Sequence, residues 1–263
     1  MLLDGLTIWI FPTSLRLASE RVANLLRLAS FDHLFLNLPR RLEGLVRALG
    51  EGAPYEWFMR RVSDLMVIRE PLTSWEYRVQ PILKIVRGIM NERHRLRLWC
   101  YKSQKMEESS IRMAERVARL ILRLNVSGKI EVDEWGEMLT RFLEESGESL
   151  EDEARYIAER FEDGVGVCLS DFYGRELREL LIREGLDARF TYVFKPYHFT
   201  PLEVLLREFR RWRLRGLPPL KERVEELVRC HSEFIRDYVL TSGSYDEAYL
   251  RWLCDRAAWL RVG

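Results

Sequence analysis

Residues 164–194, GVGVCLSDFYGRELRELLIREGLDARFTYVF, constrain the fold more than any other stretch. An apolar run over 165–169 leads into the polar turn 170–174. A helix pattern follows to Glu184, Gly185 stops it, and a second strand-like run spans 189–194. This is a strand–helix–strand unit of about thirty residues with the short connections such units favour. Strands joined by a crossover helix lie parallel, in a sheet whose faces the helices cover. Residues 6–38 repeat the plan: strand Leu6–Phe11, a turn over Pro12–Arg16, a helix to Leu28, and a strand through His33–Leu38.

The fold class that follows is α/β, with a mostly parallel central sheet of about five strands built from two strand–helix–strand units. The sequence predicts a further strand over Arg95–Tyr101 and two helices within 54–90, the second opening near Ser74 as N-cap. Residues 106–162 carry no strand pattern and read as a helical insertion of three helices, with Gly128 and Gly147 at the joints. Residues 1–199 then form the α/β core, and 200–263 a helical C-terminal region packed on it, its last helix reaching Leu260.

Composition narrows the function classes. Apolar residues make up 47% and charged residues 32% of the 263, which suits a soluble globular chain. A net charge of +1 gives no global attraction to nucleic acid or membrane. Cys100, Cys168, Cys230 and Cys254 form no CxxC pair and read as buried, reduced thiols of a cytoplasmic protein. No run approaches the roughly 20 apolar residues of a membrane-spanning helix, and the start MLLDGLTIWIF lacks a signal peptide's basic and cleavage regions. No phosphate-binding glycine loop, dinucleotide fingerprint or metal-ligand spacing is visible, so no cofactor and no metal are expected.

The stretches IWIFPTSLRLASERVANLL and FDHLFLNLPRRLEGL, then SLEDEARYIAERF and VGVCLSDFYGRELRELLIREGL, follow one another in an order that resembles Tiki/TraB/ChaN-like proteins, the superfamily that also holds erythromycin-esterase-like enzymes. PLTSWEYRVQPILKIV is similar to a segment of some branches. The resemblance implies an α/β fold and His- and carboxylate-assisted or metal-assisted hydrolysis. The motif residues depart from that pattern. Leu15 or Arg16 stands at the first His, Pro12 at the motif Gly, and Asn37 at the acidic residue after the second strand. The late Gly-x-x-His turn reads Ser170-Asp171-Phe172-Tyr173. Thr13, Arg40 or Arg41, Glu153 and Arg155 survive. Leu can neither bind a metal nor take a proton, and Asn is no base. The expectation is a divergent, non-catalytic member that binds a small ligand or a protein partner at the carboxyl edge of its sheet.

At that edge parallel strands would bring together Thr13, Ser14, Asn37, Arg41, Lys102 and Lys195 as binding residues. The alternative is an active hydrolase that uses Asp171, Tyr173 and His198, with Arg155 stabilising an oxyanion. A weaker alternative is nucleic-acid binding through the Arg/aromatic helix 207–215, where Phe209 and Trp212 interleave with Arg. Flanking glutamates argue against it. Tyr245, Tyr249 and Trp252 share a helix face that serves either as core or as a partner or homo-oligomer surface.

Overall fold

Five strands are present among residues 5–255, which the structure, a computed structural model, describes. They are β1 (Gly5–Ile10), β2 (His33–Pro39), β3 (Arg97–Lys102), β4 (Val165–Ser170) and β5 (Ala188–Tyr192). All pair in parallel, in the order β3-β2-β4-β1-β5. The helices are α1 (Arg16–Leu28), α2 (Glu43–Gly50), α3 (Tyr55–Leu65), α4 (Leu72–Glu92), α5 (Gln104–Ser127), α6 (Val132–Ala158), α7 (Gly174–Arg183), α8 (Pro201–Leu214), α9 (Lys221–Glu233) and α10 (Tyr245–Asp255). The α/β class and the helical C-terminal region are therefore as the sequence predicts.

Central position explains the near-continuous apolar runs. β4 lies between β2 and β1, and five of its six residues are buried. β5 is an edge strand, and only Ala188 is buried there. The walk β1→β2→β3 crosses the sheet one way and β3→β4→β5 the other. With right-handed crossovers, the chain leaving β2 and the chain leaving β3 depart toward opposite faces. Neighbouring strands that diverge in this way open a crevice at their carboxyl ends.

Two compact units, each discontinuous in sequence, make up the chain. The first holds the sheet, with residues up to Glu108 and Glu148–Tyr197; the second joins Ser109–Gly147 to the chain from His198 onward. The insertion contains two long helices rather than three. Gly147 lies inside α6, because the buried stripe Leu139, Phe142, Ser146, Leu150, Ala154, Ile157 runs through it without a break. A single glycine costs only about 1 kcal/mol against that burial.

Helix α4 begins at Leu72 with Pro71 at the N-cap, so Ser74 is inside the helix and caps nothing. Pro81 also lies within α4. A proline there removes the hydrogen bond to the carbonyl four residues earlier, that of Tyr77. Arg16 replaces it, donating Nη1–H to Tyr77 O at 2.9 Å while its guanidinium stacks on the Tyr77 ring. Cys100 and Cys168 are buried as expected, whereas Cys230 is half-buried and Cys254 exposed. The expected course of the last helix through Trp259 to Leu260 lies outside the described residues.

An exposed edge strand invites pairing with another chain. Side chains from α2 occupy the outer edge of β3. The Cys100 N–H donates to Glu43 Oε2 at 3.1 Å, and Arg47 donates to Leu98 O. Tyr156 Oη also donates to Glu43, at 2.8 Å. Glu43→Ala should cost about 1–3 kcal/mol, since it strands an N–H and a phenol. Urea unfolding measures the loss, and light scattering should show association through the uncovered edge.

In the second unit, Phe234 stands edge-on to Tyr245 and to Trp252, with ring centroids at 6.1 and 5.3 Å. Tyr249 and Trp252 are buried, so the shared aromatic face is core. Phe209 and Trp212 are buried against each other as well. The 207–215 helix therefore presents no aromatic platform on which bases could stack. No helix among the described residues is long and apolar enough to cross a membrane.

Candidate functional site

β3 and β4 end side by side in polar residues, and α6 brings a carboxylate to them. Leu150, Ala154 and Ile157 make the buried stripe of this part of α6, and Glu153 falls on it, fully buried. A carboxylate on an apolar stripe needs partners. Lys102, the last residue of β3, supplies its ammonium at 3.2 Å from Glu153 Oε2, and the Ser103 N–H donates to Oε1 at 3.0 Å. Asp171, just after β4, places Oδ2 3.7 Å from Lys102 Nζ. Its Oδ1 accepts the Tyr173 N–H at 3.0 Å, and so fixes the turn that starts α7. That turn is tight: a Cβ at Gly174 would lie 2.5 Å from Ile10 Cγ1. Beneath the three charges, Tyr101 Oη donates to Leu169 O at 2.8 Å.

The three groups share one charge balance. Burial works against the Lys102 charge, but Asp171 and Glu153 outweigh it and hold its pKa above the ordinary lysine range. Burial pushes the Glu153 carboxyl upward, and Lys102 and the Ser103 amide only partly offset this. Burial also raises the Cys168 thiol and the Tyr101 phenol, so neither is an activated nucleophile. Lys102 is a protonated ammonium between two carboxylates and holds the ends of β3 and β4 to α6.

Above this cluster, where the chains leaving β2 and β3 diverge, a cleft of about 500 Å³ opens in the first unit. Pro39, Arg40 and Arg41 line it after β2; Lys102, Ser103, Gln104 and Lys105 line it after β3; Glu148, Ser149, Asp152 and Arg155 come from α6, and Val67 closes one wall. Arg40 is held in place. Its Nε donates to Tyr101 O at 3.0 Å, its Nη2 pairs with Asp152 at 2.8 Å, and its plane lies over Tyr156. Ser103 Oγ accepts the Met106 N–H and caps α5. Arg41, Lys105 and Arg155 are exposed and have no ion-pair partner among the described residues.

Of the residues the sequence singles out, Arg41, Lys102 and Arg155 line this cleft, and Asp171 contacts Lys102 beneath it. Thr13 and Asn37 line a different, mostly apolar cavity of about 40 Å³ with Phe11, Ser19 and Leu169. That space admits a water molecule or two and nothing larger. Ser14 is half-buried in the loop after β1, and Tyr173 is buried at the N-cap of α7. Lys195 is exposed beyond β5. His198 belongs to the second unit, where its amide donates to Tyr249 Oη at 3.1 Å and its carbonyl accepts from the same hydroxyl at 2.6 Å. Among the described residues no three His, Cys, Asp or Glu side chains are grouped to hold a metal.

Ser103 and Lys105 were absent from the sequence-based site, and Arg40 and Glu153 entered it only as motif residues that survive in the resemblance. Glu153 was detectable: the helical period of SLEDEARYIA sets it in line with Leu150, Ala154 and Ile157. Comparison of the chain with protein-family models, with curated proteins and with solved structures gives no match.

Proposed function

We propose that this chain is a divergent, non-catalytic Tiki/TraB/ChaN-like protein that holds a small polar ligand in the carboxyl-edge cleft between β2 and β3. The observation that carries the reading is the cleft itself. It opens where two parallel neighbours diverge, its volume falls in the range of small-molecule sites, and Arg41, Lys105 and Arg155, which have no ion-pair partner among the described residues, line it. The positions at which the resemblance would place reacting groups have structural employment instead. Arg16 satisfies the carbonyl freed by Pro81, Asn37 lines a cavity too small for a substrate, and Asp171 is committed to Lys102 and the Tyr173 amide.

A panel of small polar metabolites tests this by thermal shift. A ligand present at about 100 times its dissociation constant adds roughly 2.7 kcal/mol, or about 5–11 °C for a chain of this size. Gln104 is exposed at the cleft mouth, and Gln104→Trp should fill the cleft and abolish the shift while the protein stays folded. Equal shifts in both proteins, or none across the panel, would overturn the reading.

A further inference from the structure

We infer that the ligand of the carboxyl-edge cleft is a phosphate monoester of a hydroxylated small molecule, the chemistry shared by sugar phosphates and nucleotides. The inference rests on the cleft being a binding site and adds the ligand class. Charges within the lining decide it. Arg40 is neutralised by Asp152, and Lys102 is more than offset by the two carboxyl groups of Glu153 and Asp171. Among the described residues Arg41, Lys105 and Arg155 remain without anionic partners, one each from the segment after β2, the start of α5 and the exposed side of α6. Three cations from three elements line one cleft, an arrangement that suits an anion better than a neutral ligand.

A single carboxylate is satisfied by one guanidinium fork. A phosphate monoester, with nearly two charges and three terminal oxygens, can engage two forks and an ammonium together. The first turn of α5 adds to this. The Ser103 amide is taken by Glu153 and the Met106 amide by Ser103 Oγ. The amides of Gln104 and Lys105 lie in the first turn, where no intrahelical acceptor exists. Such amides favour negative charge. Glu148 lies in the same lining and has no ion-pair partner among the described residues. A carboxylate there repels a second anion but accepts hydrogen bonds from hydroxyls, which is why the organic part is assigned as hydroxylated. The volume of about 500 Å³ leaves room for that part beyond the phosphate.

Isothermal titration of the full chain at low ionic strength would use ribose 5-phosphate, AMP and inorganic phosphate, with ribose, adenosine and succinate as counterparts. Ribose 5-phosphate should bind at least about tenfold tighter than ribose or succinate, as loss of one charge-assisted contact commonly weakens binding by that much or more. Comparison with AMP separates a sugar phosphate from a nucleotide. Arg41→Gln, Lys105→Gln and Arg155→Gln should each weaken phosphate-ester binding about tenfold. Arg95→Gln, an exposed control outside the lining, should leave it unchanged. Added salt should weaken binding in parallel. If ribose, adenosine or succinate binds as tightly as the phosphate esters, and Gln104→Trp abolishes that binding, the ligand class is wrong and the cleft reading stands. If no compound in either panel binds, both fail. Phosphate-ester binding unaffected by all three Gln variants places the site elsewhere and overturns the inference.

Discussion

Lys102→Met should destabilise the sheet-bearing unit by about 3–5 kcal/mol, because it removes the cation that, alone among the described residues, pairs with the fully buried Glu153 carboxylate, and leaves that charge uncompensated. At roughly 2–4 °C per kcal/mol the denaturation midpoint should fall by about 6–20 °C. The loss should depend on pH in a defined direction. Burial raises the folded-state pKa of Glu153 above its unfolded value, so the folded state binds the proton more tightly. Stability therefore falls as pH rises above the ordinary glutamate range toward that raised value. Without Lys102 the pKa rises further, and the deficit should be larger at pH 8 than at pH 5. The double variant Lys102→Met/Glu153→Leu should recover much of the loss, since an apolar pair of similar size replaces a buried ion pair at little cost. Urea unfolding of the four proteins at two pH values measures the coupling. Additive losses in the double variant would mean that the ion pair does not hold β3 to α6.

His231→Leu should remove most of the acid sensitivity of the second unit. The His231 ring is buried on α9 against Phe234, and its Nδ1 makes no hydrogen bond among the described residues. Burial lowers its pKa from 6.5 to about 4. Because the unfolded chain takes the proton more readily, the stability due to neutral His231 is complete above pH 6.5. It is lost as pH falls toward about 4. The shift corresponds to about 3 kcal/mol. Wild-type stability should thus decline between those limits, and His231→Leu should flatten the decline with little change at pH 7.5. An unchanged acid transition would show that other groups set it.

The central architecture was legible because its signals are local. Continuous apolar runs around Ile8 and Val167, each followed by a turn and a helix period, require parallel strands under helices. The edge strands were legible too, with boundaries off by one or two residues. What the sequence hid was tertiary compensation. Gly147 reads as a breaker, yet the buried stripe carries α6 through it. Pro81 lies inside α4, and Arg16, distant in sequence, satisfies the carbonyl it frees. The site was half legible. Lys102 and Asp171 follow their strands, and both were placed at the carboxyl edge. Their pairing through Glu153 depends on a helix about fifty residues further along, beyond the reach of spacing rules. Thr13 and Asn37 sit at the same edge but line a small, mostly apolar cavity, since strand ends fix an edge without fixing which residues border a space large enough for a ligand.

The most direct test of the ligand-binding account is an amide chemical-shift map of the ¹⁵N-labelled full chain titrated with ribose 5-phosphate. The account predicts saturable shifts at Arg40 and Arg41, at Ser103, Gln104 and Lys105, and along the 148–155 turn of α6, with one dissociation constant for all three segments. Shifts confined to other parts of the chain, or none at ligand concentrations that saturate the calorimetric titration, would contradict it.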